Sequence, residues 1–81
     1  MLELYQTDHC GYCVKVHVVL QELGLDYVAH DASYGTQERE RLVQIGGKAQ
    51  VPFLVDNRNP EKPVMMYESD DIIRYLREKY Q

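Results

Sequence analysis

The chain opens on a weak alternation, Leu2-Glu3-Leu4-Tyr5, that runs into the polar Thr7-Asp8-His9, the pattern of a short strand ending in a loop. Between residues 11 and 23, Cys13, Val16, Leu20 and Leu23 recur at spacings of three and four, and Gly24 stands where a helix usually stops. Val14, Val16, Val18 and Val19 lean toward strand by propensity, but the spacing and the thirteen-residue length predict a helix with Cys10 just ahead of it. Residues 26 to 30 predict a second strand, and Ser33-Tyr34-Gly35 a break. A charged helix is expected over 36 to 45, with Leu42 and Ile45 on one face, Glu38, Arg39, Glu40 and Arg41 solvated, and Gly46-Gly47 at its end. Residues 52 to 56 predict a third strand whose first residue is a proline, a tolerated position. Residues 57 to 62 then form a turn, and 64 to 67 a fourth strand antiparallel to the third. Ser69 opens a last helix with Ile72, Ile73 and Leu76 as its apolar face, Asp70 and Asp71 favouring its N-terminus and Lys79 its C-terminus.

The order βαβαββα implies a parallel crossover between the first two strands and a hairpin added to the same sheet. The expected fold is therefore α/β, a four-stranded mixed sheet flanked by three helices. At 81 residues, 44% hydrophobic and 27% charged, the chain suits one small domain spanning 1–81. A formal charge of -4 with scattered basic residues argues against a nucleic-acid or anionic-membrane surface. No apolar stretch approaches the ~20 residues of a membrane span, and no basic segment followed by an apolar run follows Met1. A cytoplasmic monomer is the expectation.

Cys10 and Cys13 are the two cysteines of the chain. Closing so short a loop constrains little of the unfolded chain, so a bond between them serves chemistry more than stability. In a reducing compartment a lone C-x-x-C is more often catalytic or metal-binding than structural, and beside a βαβ pattern it marks a thioredoxin-like redox domain. Two packed thiols are the plain alternative. His9, Cys10, Cys13 and His17 also place four nitrogen or sulfur ligands within nine residues. Structural zinc sites usually draw their ligand pairs from two separate elements, whereas Cys13 and His17 share one helix, so no metal is expected. A cysteine just before a helix has its thiolate stabilised by free backbone N–H groups, which makes Cys10 the expected nucleophile. Cys13, one turn on and on the apolar stripe, is expected to be buried and to resolve a mixed disulfide at Cys10.

Two further stretches suggest a peptide-like ligand. Pro52 donates no backbone hydrogen bond and its peptide bond can be cis at small cost, which lets Val51 turn its N–H and C=O outward. For Pro52 alone, a strand-initiating proline is the lesser alternative. Ser69 and Asp70, at a helix start, offer backbone N–H groups to a carboxylate; alone, they are an ordinary N-cap and a charged first turn.

Three motifs in order carry a family likeness. Cys10-Gly11-Tyr12-Cys13 looks like the glutaredoxin C-P-Y-C with glycine for proline. Gln50-Val51-Pro52 is similar to that family's T-V-P, whose proline is cis and faces the cysteines. Glu68-Ser69-Asp70-Asp71-Ile72 is close both to the glutaredoxin G-G-S-D-D-L and to the E-S-x-x-I of glutathione transferases. Over essentially its whole length the chain resembles the glutaredoxin family, within the thioredoxin-like fold shared with the N-terminal domain of glutathione transferases. The resemblance implies a glutathione-dependent thiol-disulfide oxidoreductase that reduces protein-glutathione mixed disulfides and protein disulfides, with glutathione as co-substrate. Cys10 and Cys13 are its catalytic pair. Tyr12, Gln50, Val51, Pro52, Glu68, Ser69 and Asp70 are its glutathione contacts, with Glu68 or Asp70 meeting the γ-glutamyl amino group. Gly11 keeps open a second class, a [2Fe-2S] carrier ligated by Cys10 of two subunits and two glutathiones. A third is a thioredoxin-like electron donor served by a reductase. The chain departs from the glutaredoxin pattern at Thr7, where many members have a lysine; Lys48 or Arg41 is the expected substitute. Gln50 replaces a threonine, and Tyr67-Glu68 replaces a double glycine, as in the transferase version of that motif. With no residues left for the helical domain that holds a transferase's second substrate, a transferase proper is not expected.

Overall fold

The computed structural model describes residues 2–58 and 60–81, so Asn59 of the expected turn lies outside the described residues. The elements are β1 (Leu2–Gln6), α1 (Gly11–Glu22), β2 (Tyr27–Asp31), α2 (Gln37–Gly46), β3 (Phe53–Asp56), β4 (Val64–Met66) and α3 (Ser69–Tyr80). The strands lie in the order β2-β1-β3-β4, with β1 parallel to β2 and antiparallel to β3, and β3 antiparallel to β4. This is the expected mixed sheet with three helices, in a thioredoxin-like arrangement. Among the described residues no helix is long and apolar enough to cross a membrane.

Strand periodicity divides the core in two. β1 sends Leu2 and Leu4 to one face and Tyr5 to the other, and β3 sends Leu54 to the first face and Phe53 and Val55 to the second. Val16, Val19 and Leu20 of α1, with Ile72 and Leu76 of α3, cover the first face. Leu42 of α2 and Ala32 close the second. The end of α1 is sharp because Gly24 takes φ 65. The N–H of Gly24 then donates to Gln21 O (3.1 Å) and that of Leu25 to Leu20 O (3.0 Å), the paired bonds of a Schellman turn that starts the chain back toward β2.

Two local expectations are corrected. In α2, Leu42 is buried but Ile45 is exposed, and Arg39 is half-buried rather than solvated. The inward stripe runs through 39, 42 and 46, a helical spacing of three and four, so Ile45 falls at its margin. α3 opens at Ser69 as expected, but Glu68 holds the N-cap position with φ 69 and no side-chain cap bond, so the plain reading of Ser69 as the N-cap gives way to a buried first-turn residue.

Gly46 is where α2 meets the sheet most closely. A Cβ there would lie 2.1 Å from the Tyr67 hydroxyl oxygen and 3.0 Å from the Phe53 ring. Tyr67 has little room to yield, because its ring packs on Phe53 at 4.5 Å between centroids and its hydroxyl donates to Lys48 O at 2.8 Å. Gly46→Ala is expected to cost about 1–3 kcal/mol of stability, read as a lowered urea midpoint. An unchanged midpoint would show that the Tyr67 ring can swing aside.

Candidate functional site

β1 ends at Gln6 and α1 starts at Gly11, so residues 7–10 form the loop that carries the first thiol. Cys10 is the N-cap of α1, with extended backbone (φ -103, ψ 109). Its carbonyl accepts the first helical bond from Val14 N–H (3.1 Å), and its Sγ accepts the N–H of Cys13 at 3.2 Å. The sulfur takes the place a serine or aspartate oxygen usually fills, at the positive end of the helix dipole. Cys13, three residues on, is 1% exposed. Burial pushes its thiol up to about 12, its hydrogen bond with the Cys10 sulfur adds to the rise, and the Thr7 backbone amide opposes it. The pair is asymmetric, one thiol half-exposed at a helix mouth and the other protonated and inside.

Of the four residues in the zinc alternative, His17 has a partner outside the set. His17 Nδ1 is 2.7 Å from the Tyr27 hydroxyl, and burial lowers its pKa. Among the described residues no three His, Cys, Asp or Glu side chains are placed to hold a metal ion. For a [2Fe-2S] cluster, one chain supplies a single accessible thiol, Cys10, because Cys13 is buried. Its other ligands would have to come from outside the chain.

The remaining expected residues come together. Tyr12 from α1, Gln50, Val51 and Pro52 ahead of β3, and Glu68, Ser69 and Asp70 at the start of α3 line one cleft of about 380 Å³. The Val51-Pro52 peptide bond is cis. Gln50 Nε2 donates to Glu68 Oε1 across the cleft at 3.0 Å. Glu68 is the one non-glycine residue with positive φ among those described, a sparsely populated conformation that turns its side chain and the start of α3 toward the cleft.

Several contacts were not anticipated. Asp70 Oδ1 accepts from Lys15 Nζ at 3.0 Å, so its carboxylate already has a cation from α1. Arg39, expected in solvent, donates to Ala32 O (2.7 Å) and Ala49 O (3.0 Å). Neither substitute for the missing loop lysine borders the cleft. Lys48 lies with its ammonium 5.6 Å from the Tyr67 ring centroid, and Arg41 faces a separate hollow with His30, Gln37 and Glu38. Thr7 faces another hollow, with His9, Tyr34 and Arg39. The sequence holds no sign of these pairings beyond residue type, since Lys15 and Asp70 are 55 residues apart.

A βαβ unit with a cysteine at the first helix mouth, a cis proline ahead of β3 and a polar cleft at the start of α3 together define a thioredoxin-like domain. The family model for the glutathione S-transferase N-terminal domain matches residues 4–81, and the chain belongs to that family. It is 35% identical over 68 residues to glutathione S-transferase 2 of Schizosaccharomyces pombe, covering 82% of this chain and 29% of that protein. It is 32% identical over 80 residues to glutathione S-transferase hmp2 of Hypomyces subiculosus, covering 99% of this chain and 35% of that protein. A solved glutathione transferase family member from Pseudomonas fluorescens, with two glutathione bound, superposes with a TM-score of 0.81 at 30% identity, over 98% of this chain and 36% of that one. The chain spans about a third of the length of these relatives, so its length decides nothing between transferase and oxidoreductase chemistry.

Proposed function

We propose that this domain binds glutathione in the 380 Å³ cleft and carries out glutathione-dependent thiol-disulfide exchange at Cys10. The observation that carries the reading is Cys10 at the N-cap of α1, its sulfur held by the Cys13 amide at 3.2 Å and its neighbour Tyr12 bordering the cleft. Family membership and the glutathione-bound relative support the choice of ligand.

In the proposed reaction the Cys10 thiolate attacks the glutathionyl sulfur of a protein-glutathione mixed disulfide. The old S–S bond breaks, and its electron pair leaves with the protein thiolate. A second glutathione thiolate then attacks the Cys10-glutathione disulfide, which releases glutathione disulfide and restores the Cys10 thiolate. In the dithiol branch Cys13 must first lose its proton, and a thiol held up to about 12 by burial does so rarely near neutral pH. The branch through Cys10 alone is the proposed main route.

The family match favours a second reading, glutathione conjugation to an electrophile. One preparation distinguishes the two when assayed for glutathione-coupled reduction of bis(2-hydroxyethyl) disulfide and for conjugation of an aryl halide. Reduction with background conjugation is the expected result; conjugation without reduction assigns the second reading.

A further inference from the structure

One wall of the cleft, Gln50-Val51-Pro52, lies in a segment outside helix and strand, residues 47–52 joining α2 to β3, and Cys10 lies in another, residues 7–10 joining β1 to α1. Such segments hold a fixed spacing only where something ties them down. Arg39 reaches toward both. Its Nη1 donates to Ala32 O at 2.7 Å and its Nη2 to Ala49 O at 3.0 Å. Ala32 is fully buried, and its own N–H donates at 2.8 Å to the carbonyl of Gln6, the residue that leads into the Cys10 loop. Ala49 directly precedes Gln50-Val51-Pro52. The arginine is itself held, its guanidinium 4.1 Å from the Tyr34 ring centroid and its backbone N–H on Thr36 Oγ1 at 3.1 Å.

We propose that Arg39 is a positioning residue that sets the spacing between the Cys10 loop and the Gln50-Val51-Pro52 wall, and through it the fit of glutathione. The proposal rests on the reading of the cleft as a glutathione site. A guanidinium presents diverging donors in one rigid plane, which lets a single side chain hold carbonyls of two separate segments. A lysine ammonium is one point charge on a flexible stem and cannot fix both.

Arg39→Lys keeps the charge and most of the stem, and Arg39→Ala removes both, so the lysine variant tests the fork even where the alanine variant folds poorly. Arg39→Lys is expected to raise the KM for glutathione roughly tenfold while kcat, and the rate at which iodoacetamide alkylates Cys10, stay within about twofold. Amide hydrogens of residues 48–51 are expected to exchange faster than in the wild type. A lowered melting temperature with unchanged KM and unchanged exchange overturns the proposal and leaves Arg39 a plain structural strut. Should the wild type itself fail to turn over glutathione, the functional reading falls, and exchange alone decides the positioning of the wall. Faster exchange at 48–51 upholds it; unchanged exchange overturns it.

Discussion

Cys10→Ser is expected to lower glutathione-coupled reduction of a mixed disulfide by roughly 10³-fold or more, because a serine hydroxyl has no accessible anion to attack sulfur. The substitution is a clean one. Serine is a preferred N-cap, so the variant can still accept the Cys13 amide and α1 keeps its start. Cys13→Ser is expected to retain activity within about fivefold, since the proposed route needs no second thiol. Its pH-rate profile is expected to match the wild type between about pH 6 and 9, because a Cys13 thiol pushed up to about 12 does not ionise in that range. Initial rates of the three proteins, at fixed glutathione and varied pH, check all of this. Full activity in Cys10→Ser would overturn the assignment of the nucleophile, and loss in Cys13→Ser would move turnover to the dithiol branch.

The largest expected effect on stability lies at the other end of β3. Asp56 is 4% exposed, yet its carboxylate has a full set of donors. Oδ2 accepts the hydroxyls of Tyr75, at 2.6 Å, and of Tyr80, while Oδ1 accepts the backbone N–H of Arg58 at 3.1 Å. The Arg58 guanidinium sits 4.4 Å from the Tyr80 ring centroid. This cluster ties the end of the central β3 to the last turns of α3. Asp56→Ala removes the charged acceptor for all three donors and is expected to cost about 2–4 kcal/mol. For a domain of this size that is a fall in melting temperature of about 10–20 °C.

The same network predicts a pH dependence with a definite sign. Burial pushes the Asp56 carboxyl up, but the Tyr75 and Tyr80 hydroxyls, the Arg58 amide and the Arg58 charge together outweigh it and hold the pKa below its ordinary value. A carboxyl whose folded pKa lies below its unfolded one, about 3.9, contributes stability that is complete above the unfolded value and lost as pH falls through the folded one. The gap in unfolding free energy between wild type and Asp56→Asn is therefore expected to be constant above about pH 5 and to shrink below about pH 4. Urea unfolding at a series of pH values measures it. A gap that persists unchanged into strong acid would show that shape, not charge, is what Asp56 supplies.

Much of this molecule is written in short-range pattern. The periods of two and of three-to-four residues placed all seven elements within a residue or two, and Gly24 stopped α1 where a left-handed residue was needed. The position of Cys10 ahead of a helix and of Cys13 on its inner stripe was already enough to make the two thiols unequal. The cleft residues were legible through their likeness to known motifs, and the fold does gather all seven of them around one cavity.

What pattern could not reach is every pairing between elements far apart in the chain. Arg39 reads as one charge in a run of four, and only the packing of α2 across the second core shows that its stripe faces inward with Leu42 and Gly46. Ser69 reads as a cap, yet the turn at Glu68 moves it inside the first turn and buries it. Asp56 reads as the polar end of a strand until α3 brings Tyr75 and Tyr80 to it. By itself the sequence determined the elements, their order and the asymmetry of the two cysteines, because each depends on residues within one turn or one strand. Only the tertiary structure decided which charges are pinned and which are free. Those contacts depend on sheet register and on how the helices lie across the sheet, and no local window of sequence contains that information.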